Sequence, residues 1–211
     1  PSVIDKIKEI VKGEAEDLER YKEELKRYNK LMKDLKEGKY MDDDLLLQFF
    51  SDEGHFQKPE HRFNGEKPRI ACIFDDMLGS GIYSRPRKLN GLSTYSRHIG
   101  QLKEGGAIGV SLFFMIQSFK CQTGGLNKVI RNQCTSMLLF KTKDKQEMKD
   151  VAESVSGEID EELFNKVYDT AIGDGSDYPF LFIDLHKKKE HPSMFRQRLD
   201  NFIIPEELKK N

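Results

Sequence analysis

The spacing of apolar positions along the chain changes near residue 69. Over residues 2–37, the spacing follows the two inner positions of a seven-residue repeat and predicts a long helix with one narrow packing stripe. The residues on this stripe are Ile4, Ile7, Val11, Leu18, Tyr21, Leu25, Tyr28, Met32 and Leu35. Residues 41–50 predict a short amphipathic helix, and the polar stretch 51–68, interrupted by Gly and Pro, predicts a loop. The charged faces of the long helix indicate a solvated helix, and a dimerising coiled coil is the alternative.

Beyond residue 69, short apolar runs alternate with helix-like stretches. Strands are predicted at 69–75, 107–116, 134–141 and 179–185, with helices near 91–103, 124–132, 144–155 and 160–171. This alternation predicts crossover connections and a mostly parallel sheet with helices on its faces. The unbroken apolar run at 71–74 indicates that the first strand is buried on both faces. The predicted organisation is a helical segment over 1–50, a loop over 51–68 and an α/β core over 69–211.

Composition then limits the classes of function. The 211 residues are 37% hydrophobic and 34% charged, with a formal net charge of −1. No overall basic field therefore marks a nucleic-acid-binding protein, and a polyanion would have to meet local basic patches. Three widely separated cysteines without metal-ligand spacing indicate buried thiols in a reducing compartment. No apolar run is long enough to predict a membrane span.

Two carboxylates at the end of the first predicted strand are the main candidates for chemistry. Asp75 and Asp76 end the run RIACIFDD, and Gln117 follows the next predicted strand. In α/β sheets, ligands bind beyond the carboxyl ends of the strands. Adjacent carboxylates repel each other unless a cation or hydrogen bonds relieve them, and a Mg²⁺–nucleotide site supplies that relief. An ordinary strand-to-loop turn with a polar strand end nearby is the alternative.

A set of motifs between residues 69 and 203 resembles one family. The motifs are IFDDM, SRH at 96–98, SLFFMIQS, VIRNQCTSMLLFKTKDKQEMKDVAES, YPFLFIDLHKK and MFRQRLDNFI. In this order and spacing they resemble the FtsK–HerA superfamily of DNA-pumping ATPases. Within it, they are most similar to the poxvirus-type genome-packaging ATPases of large DNA viruses and virophages.

This resemblance implies a fold and a function. The fold is a RecA-like P-loop three-layer sandwich with a mostly parallel sheet, incomplete at its amino-terminal side. The function is that of an ATP-driven motor, a homo-oligomeric ring that moves double-stranded DNA into a viral capsid and docks on a capsid or vertex protein. Its expected location is the host-cell cytoplasm, a viral factory or the virion, and its cofactors are ATP and Mg²⁺.

Roles for individual residues follow from the resemblance and from the chemistry of phosphoryl transfer. Asp75 is expected to hold Mg²⁺, directly or through water, Asp76 to activate the attacking water, and Gln117 to couple nucleotide state to movement. Arg97 and Arg131 are candidates for an arginine finger that reaches a neighbouring subunit's nucleotide, and each has a packing or surface role as the alternative.

The segment GSGIYSRPRKLNG, residues 79–91, carries a basic cluster. Arg85, Arg87 and Lys88 lie among glycines, which predicts a mobile loop that contacts DNA phosphates irrespective of base sequence. Ordinary solvated loop charges are the alternative.

One feature departs from the family. The phosphate-binding pattern G-x-x-x-x-G-K-[ST] does not occur in these residues, although it supplies the lysine and the backbone N–H groups that hold phosphates. We therefore expect a carboxyl-terminal portion that begins after this loop and is inactive alone. A non-hydrolysing DNA-binding or assembly module is the alternative, and an unrelated Mg²⁺-dependent phosphotransfer domain is a third interpretation.

Overall fold

The chain folds into two compact units. In the computed structural model, the first unit comprises Pro1–Phe74 with Gly91–Phe114, and the second comprises Asp75–Asn90 with Met115–Asn211. The first unit therefore extends past the predicted boundary at residue 68. The residues that the structure describes are 2–39, 43–51, 54–77, 80–84, 86–120, 126–155, 157, 159–173 and 175–208.

Helices and strands alternate along most of the described chain. The helices are α1 Val3–Lys36, α2 Asp43–Phe49, α3 Gly81–Ser84, α4 Pro86–Tyr95, α5 Lys128–Arg131, α6 Lys145–Ser154, α7 Glu161–Ile172 and α8 Pro205–Leu208, with a 3₁₀ turn at Ser96–His98. The strands are β1 Ala71–Asp75, β2 Ser111–Met115, β3 Ser136–Phe140, β4 Phe180–Asp184, β5 Phe195–Gln197 and β6 Asn201–Ile203. None of the helices within the described ranges is both long and apolar enough to cross a membrane.

The long helix α1 begins where the sequence supplies a capping box. The Ser2 hydroxyl accepts a hydrogen bond from the Asp5 backbone N–H at 3.4 Å, and the Asp5 carboxylate accepts one from the Ser2 backbone N–H at 3.0 Å. Two backbone donors at the helix start are thus satisfied. The predicted packing stripe is right in part. Ile4, Val11 and Leu18 are buried, and so are two residues off the stripe, Ala15 and Leu31.

A turn at residues 99–108 packs closely on the middle of α1. Leu102 joins Ala15 and Leu18 in a small buried cluster. Gly100 has a φ of +69°, and a Cβ atom there would lie 2.8 Å from the Val11 carbonyl oxygen. Glycine is required here because any other residue would meet both a left-handed backbone and a steric clash.

A buried histidine fixes a second segment of the first unit on α1. The His61 ring stacks on Tyr21 at 5.1 Å between centroids, and its Nε2 lies 3.6 Å from an Asp17 carboxylate oxygen. Its Nδ1 accepts hydrogen bonds from the backbone N–H groups of Phe63 at 3.2 Å and Gly65 at 3.1 Å. A ring nitrogen that accepts cannot carry a proton, so Nε2 bears the hydrogen that faces Asp17.

In the second unit, four strands form an antiparallel sheet in the order β3–β4–β5–β6. Leu138 pairs with Phe182, Phe182 with Arg196, and Arg196 with Phe202. The residues that alternate with these along each strand face α6 and α7, where the core of this unit lies. Its buried members include Val151, Phe164, Val167, Leu181, Ile183 and Phe195.

The antiparallel sheet corrects the predicted mostly parallel sheet, and it does not fit the expected RecA-like P-loop sandwich. Strands were expected at 134–141 and 179–185, and both form, but they run in opposite directions. The reason is the number of helices between them. A single crossover helix returns the chain to the end of the sheet from which it started, so the next strand is parallel. Here two consecutive helices, α6 and α7, follow β3. They bring the chain back to the end of the sheet at which β3 finishes, so β4 runs antiparallel to β3.

The first two strands form a separate parallel pair. The Ser111 N–H donates to the Ile70 carbonyl at 2.8 Å, and the Asp76 N–H donates to the Met115 carbonyl at 3.2 Å. The partners advance together along both strands, as parallel pairing requires. The prediction that the first strand is buried on both faces is wrong within the described chain. On one face, Ile73 is 63%, Phe113 53% and Met115 56% exposed.

Two glycine substitutions in the first unit test this packing. Gly100→Ala is expected to destabilise the chain by about 2 kcal/mol or more, because it adds a Cβ at a left-handed backbone against α1. Gly13→Ala, in the interior of α1 with open space at its Cβ position, is expected to stabilise it by about 0.5–1 kcal/mol. Urea unfolding of both variants measures the difference. Equal effects of the two substitutions would contradict the close packing at Gly100.

Candidate functional site

The aspartate pair lies where β1 ends. Asp75 is the last residue of the strand, and Asp76 has a φ of +45°, which turns the backbone out of the extended conformation. Aspartate is among the few residue types that tolerate this left-handed conformation. Both side chains are exposed. The two carboxylates are therefore accessible to a ligand at the strand end.

The glutamine lies at the neighbouring strand end. β2 ends at Met115, and the exposed Gln117 follows two residues later. The hydrogen bond from the Asp76 N–H to the Met115 carbonyl joins the two strand ends. All four residues belong to the second unit. The structure thus brings the two predicted aspartates and the predicted glutamine to the same edge of the parallel pair.

These side chains have the chemistry that a magnesium–nucleotide site needs. Mg²⁺ prefers oxygen ligands, keeps several waters, and is commonly held by one or two carboxylates together with substrate phosphates. No cluster of three or more histidine, cysteine or acidic side chains suited to a metal occurs in the described part of the chain. An ion bound by these side chains would need water or phosphate oxygens as its remaining ligands.

The candidate DNA-binding segment is helical, which corrects the predicted loop. Residues 81–84 form α3, and α4 begins at Pro86, a favoured first helical residue because it has no N–H to satisfy. Arg87 and Lys88 are exposed on α4, while Arg85 lies outside the described residues. Consecutive helical residues point in different directions, so Arg87 and Lys88 do not present a single compact patch.

The two candidate arginine fingers differ in their surroundings. Arg97 is exposed in the 3₁₀ turn at Ser96–His98 and belongs to the first unit. Arg131 is half-buried in the second unit, where its guanidinium donates a hydrogen bond to the Leu126 carbonyl and lies 5.4 Å from the centre of the Phe119 ring. Neither contact could be predicted from the sequence, because one uses a main-chain carbonyl and the other depends on tertiary packing.

The Met115 carbonyl is a second contribution that sequence reasoning missed. It fixes the backbone at Asp76, and any residue type at position 115 offers the same carbonyl.

Comparison with known proteins adds nothing to this geometry: no family model, curated protein or solved structure matches the chain. The resemblance to packaging ATPases therefore rests on the sequence motifs.

Two valine substitutions test the backbone at the strand end. Asp76→Val is expected to destabilise the chain by about 1–2 kcal/mol, because a β-branched residue is strained at positive φ. Asp75→Val removes the same charge one residue earlier in extended backbone and is expected to change stability by less than about 0.5 kcal/mol. Thermal or urea unfolding compares them. A larger loss for Asp75→Val would contradict the left-handed turn at Asp76.

Proposed function

We propose that this chain is part of an ATP-hydrolysing motor subunit that moves double-stranded DNA into a viral capsid. The observation that carries the proposal is the meeting of two exposed carboxylates and an exposed amide at one edge of a parallel strand pair. The order of the sequence motifs connects this chemistry to DNA packaging. The four-stranded antiparallel sheet gives no support to the proposal, which stands on the strand-end site and the motifs.

The proposed roles follow from position and chemistry. Asp75, at the end of β1, holds Mg²⁺ with water and nucleotide phosphates, and this ion supplies neutralisation of the developing phosphate charge. Asp76 accepts a proton from the attacking water, since its exposed carboxylate is open to solvent. Gln117 has both an amide donor and an acceptor, so it can contact a water and a phosphate oxygen together.

The proposal requires parts that these residues do not supply. The phosphate-binding loop must come from residues outside this sequence, because backbone N–H groups and a lysine are needed to hold the phosphates. A ring of identical subunits would place Arg97 or Arg131 against a neighbour's nucleotide. Arg87 and Lys88 on α4, with Arg85, would contact the DNA backbone, and a capsid or vertex protein would anchor the ring.

One substitution tests the catalytic assignment in a complete protein that includes the phosphate-binding loop. Asp76→Asn is expected to keep nucleotide binding and lower the ATP hydrolysis rate by about 10²–10⁴-fold, because an amide cannot accept the proton. Asparagine also tolerates the left-handed backbone at this position, so folding should be preserved.

Asp177→Asn is the matched control, since Asp177 is an exposed carboxylate elsewhere in the second unit. It is expected to leave hydrolysis unchanged. Near-normal turnover in Asp76→Asn would remove Asp76 from the reaction. A complete protein that binds DNA and never hydrolyses ATP would favour the non-hydrolysing module.

A further inference from the structure

A cleft of about 810 Å³ opens in the second unit beside α5 and α6. Its volume is in the range of about 300–1,000 Å³ that is typical of small-molecule sites. Lys128 and Arg131 border it from α5, and His186 borders it just beyond the end of β4. With Lys120, four groups that can carry positive charge line this cavity, together with the carboxylates of Asp150 and Glu153, in a chain whose net charge is −1.

Arg131 is held in place within this cleft. One terminal guanidinium nitrogen donates to the Leu126 carbonyl, and the Phe119 ring lies 5.4 Å from the guanidinium carbon. Within the described ranges, the side chain makes no other hydrogen bond and no ion pair. A guanidinium has five N–H donors, so most of them remain available. Because its orientation is already fixed, little conformational entropy is lost when a ligand binds.

Lys128 adds a second charge next to Arg131. The two residues are three positions apart in the same helix, a spacing at which side chains are neighbours. Lys128 is exposed, and neither it nor His186 forms an ion pair with another described residue. These side chains are therefore not neutralised by the part of the protein that the structure describes.

The two acidic side chains that line the cleft, Asp150 and Glu153, have their own counter-ion in Lys120. Lys120 lies 3.0 Å from an Asp150 carboxylate oxygen and 2.8 Å from one of Glu153. The hydrogen bonds that Lys120 donates to Glu153 and Asp150 raise the pKa of Lys120. Burial acts to raise the pKa of Asp150, but hydrogen bonds from Lys120 and Gln146 outweigh it and hold that pKa below its usual value. Lys120 is thus the hydrogen-bonded counter-ion of the acidic pair. The Arg131 charge also helps to lower the pKa of Asp150, while no ion pair joins Lys128 to another described residue.

From this arrangement we propose that the cleft is a phosphate-binding site, in which the Arg131 guanidinium and the Lys128 ammonium bind the phosphate oxygens. A planar guanidinium matches the geometry of phosphate with two parallel hydrogen bonds, and lysine adds a compact charge. The phosphate belongs either to a nucleotide or to a nucleic-acid backbone, which share this chemistry. The inference does not rest on the aspartate pair, and it assigns Arg131 to this cleft, so that Arg97 would remain the candidate for the neighbour's nucleotide.

The first experiment measures binding of sodium pyrophosphate to the 211-residue chain by calorimetry at low ionic strength. Lys128→Gln is expected to weaken binding about tenfold, the effect of losing one charged hydrogen bond. Lys149→Gln is the matched control, because Lys149 is exposed on α6 and does not line the cleft. It is expected to change affinity less than about twofold, as remote surface charges are screened by solvent.

Arg131→Lys separates geometry from charge. It keeps the positive charge and removes the planar fork, so it is expected to weaken binding as much as Lys128→Gln. Thermal unfolding checks that the variant remains folded, and Lys128→Gln carries the test if it does not. Absence of pyrophosphate binding to the parent chain, or equal weakening by Lys128→Gln and Lys149→Gln, would overturn the proposal.

A displacement experiment identifies the source of the phosphate. Displacement of pyrophosphate by ATP alone assigns the cleft to a nucleotide, and displacement by a short random-sequence duplex assigns it to a DNA backbone. In the DNA case, Lys128→Gln should also make the slope of log affinity against log salt shallower by about one unit. Displacement by neither would overturn the cleft as a site for these ligands.

Discussion

The parallel register of β1 and β2 is the constraint on which the candidate site depends. The Ile70 carbonyl receives the Ser111 N–H, and the Met115 carbonyl receives the Asp76 N–H, so both strands end at the same edge. A shift of one residue would turn the side chains of one strand to the opposite face, and an antiparallel arrangement would separate the aspartates from Gln117 by the length of the strand. Main-chain hydrogen bonds thus bring the aspartates to the strand end beside Met115, two residues before Gln117.

The turn at Asp76 gives this edge its shape. A positive φ directly after an extended strand redirects the chain, and the residue type that tolerates this backbone is also the one with the proposed catalytic carboxylate. The backbone at position 76 therefore favours aspartate or asparagine, whereas the proposed chemistry requires aspartate. Asparagine retains the backbone preference and lacks the base, which is why it separates the two contributions.

The sequence predicted the elements better than their arrangement. The apolar runs near residues 71–75, 111–115, 136–140 and 180–184 all form strands, because apolar β-branched and aromatic runs bounded by turn residues are a strong local signal. The direction of β4 was wrong, although two predicted helices before it already implied a reversal. A helix was predicted near 91–103, but the first half of α4 was missed because the glycines and the proline were interpreted as loop signals, while Pro86 occupies the first helical position.

In the candidate site, too, features set by local sequence could be predicted, and features that depend on tertiary contacts could not. The place of Asp75, Asp76 and Gln117 at strand ends could be predicted because each follows an apolar run, and their shared role stays a prediction. The bond from Asp76 to the Met115 carbonyl could not be predicted, since a main-chain acceptor has no residue signature. The cleft around Arg131 was also missed, because it unites Lys128 and His186, which are far apart in the chain.

The proposal that Asp75, Asp76 and Gln117 form one site for a divalent cation and its ligands can be tested on the chain itself. Its most direct test is a titration of the isotope-labelled chain with Mn²⁺, a paramagnetic substitute for Mg²⁺, followed by nuclear magnetic resonance. We expect the amide signals of these three residues to broaden together, at lower Mn²⁺ concentration than the amide signal of the exposed Asp177. Broadening spread equally over the exposed carboxylates, with Gln117 unaffected, would contradict it.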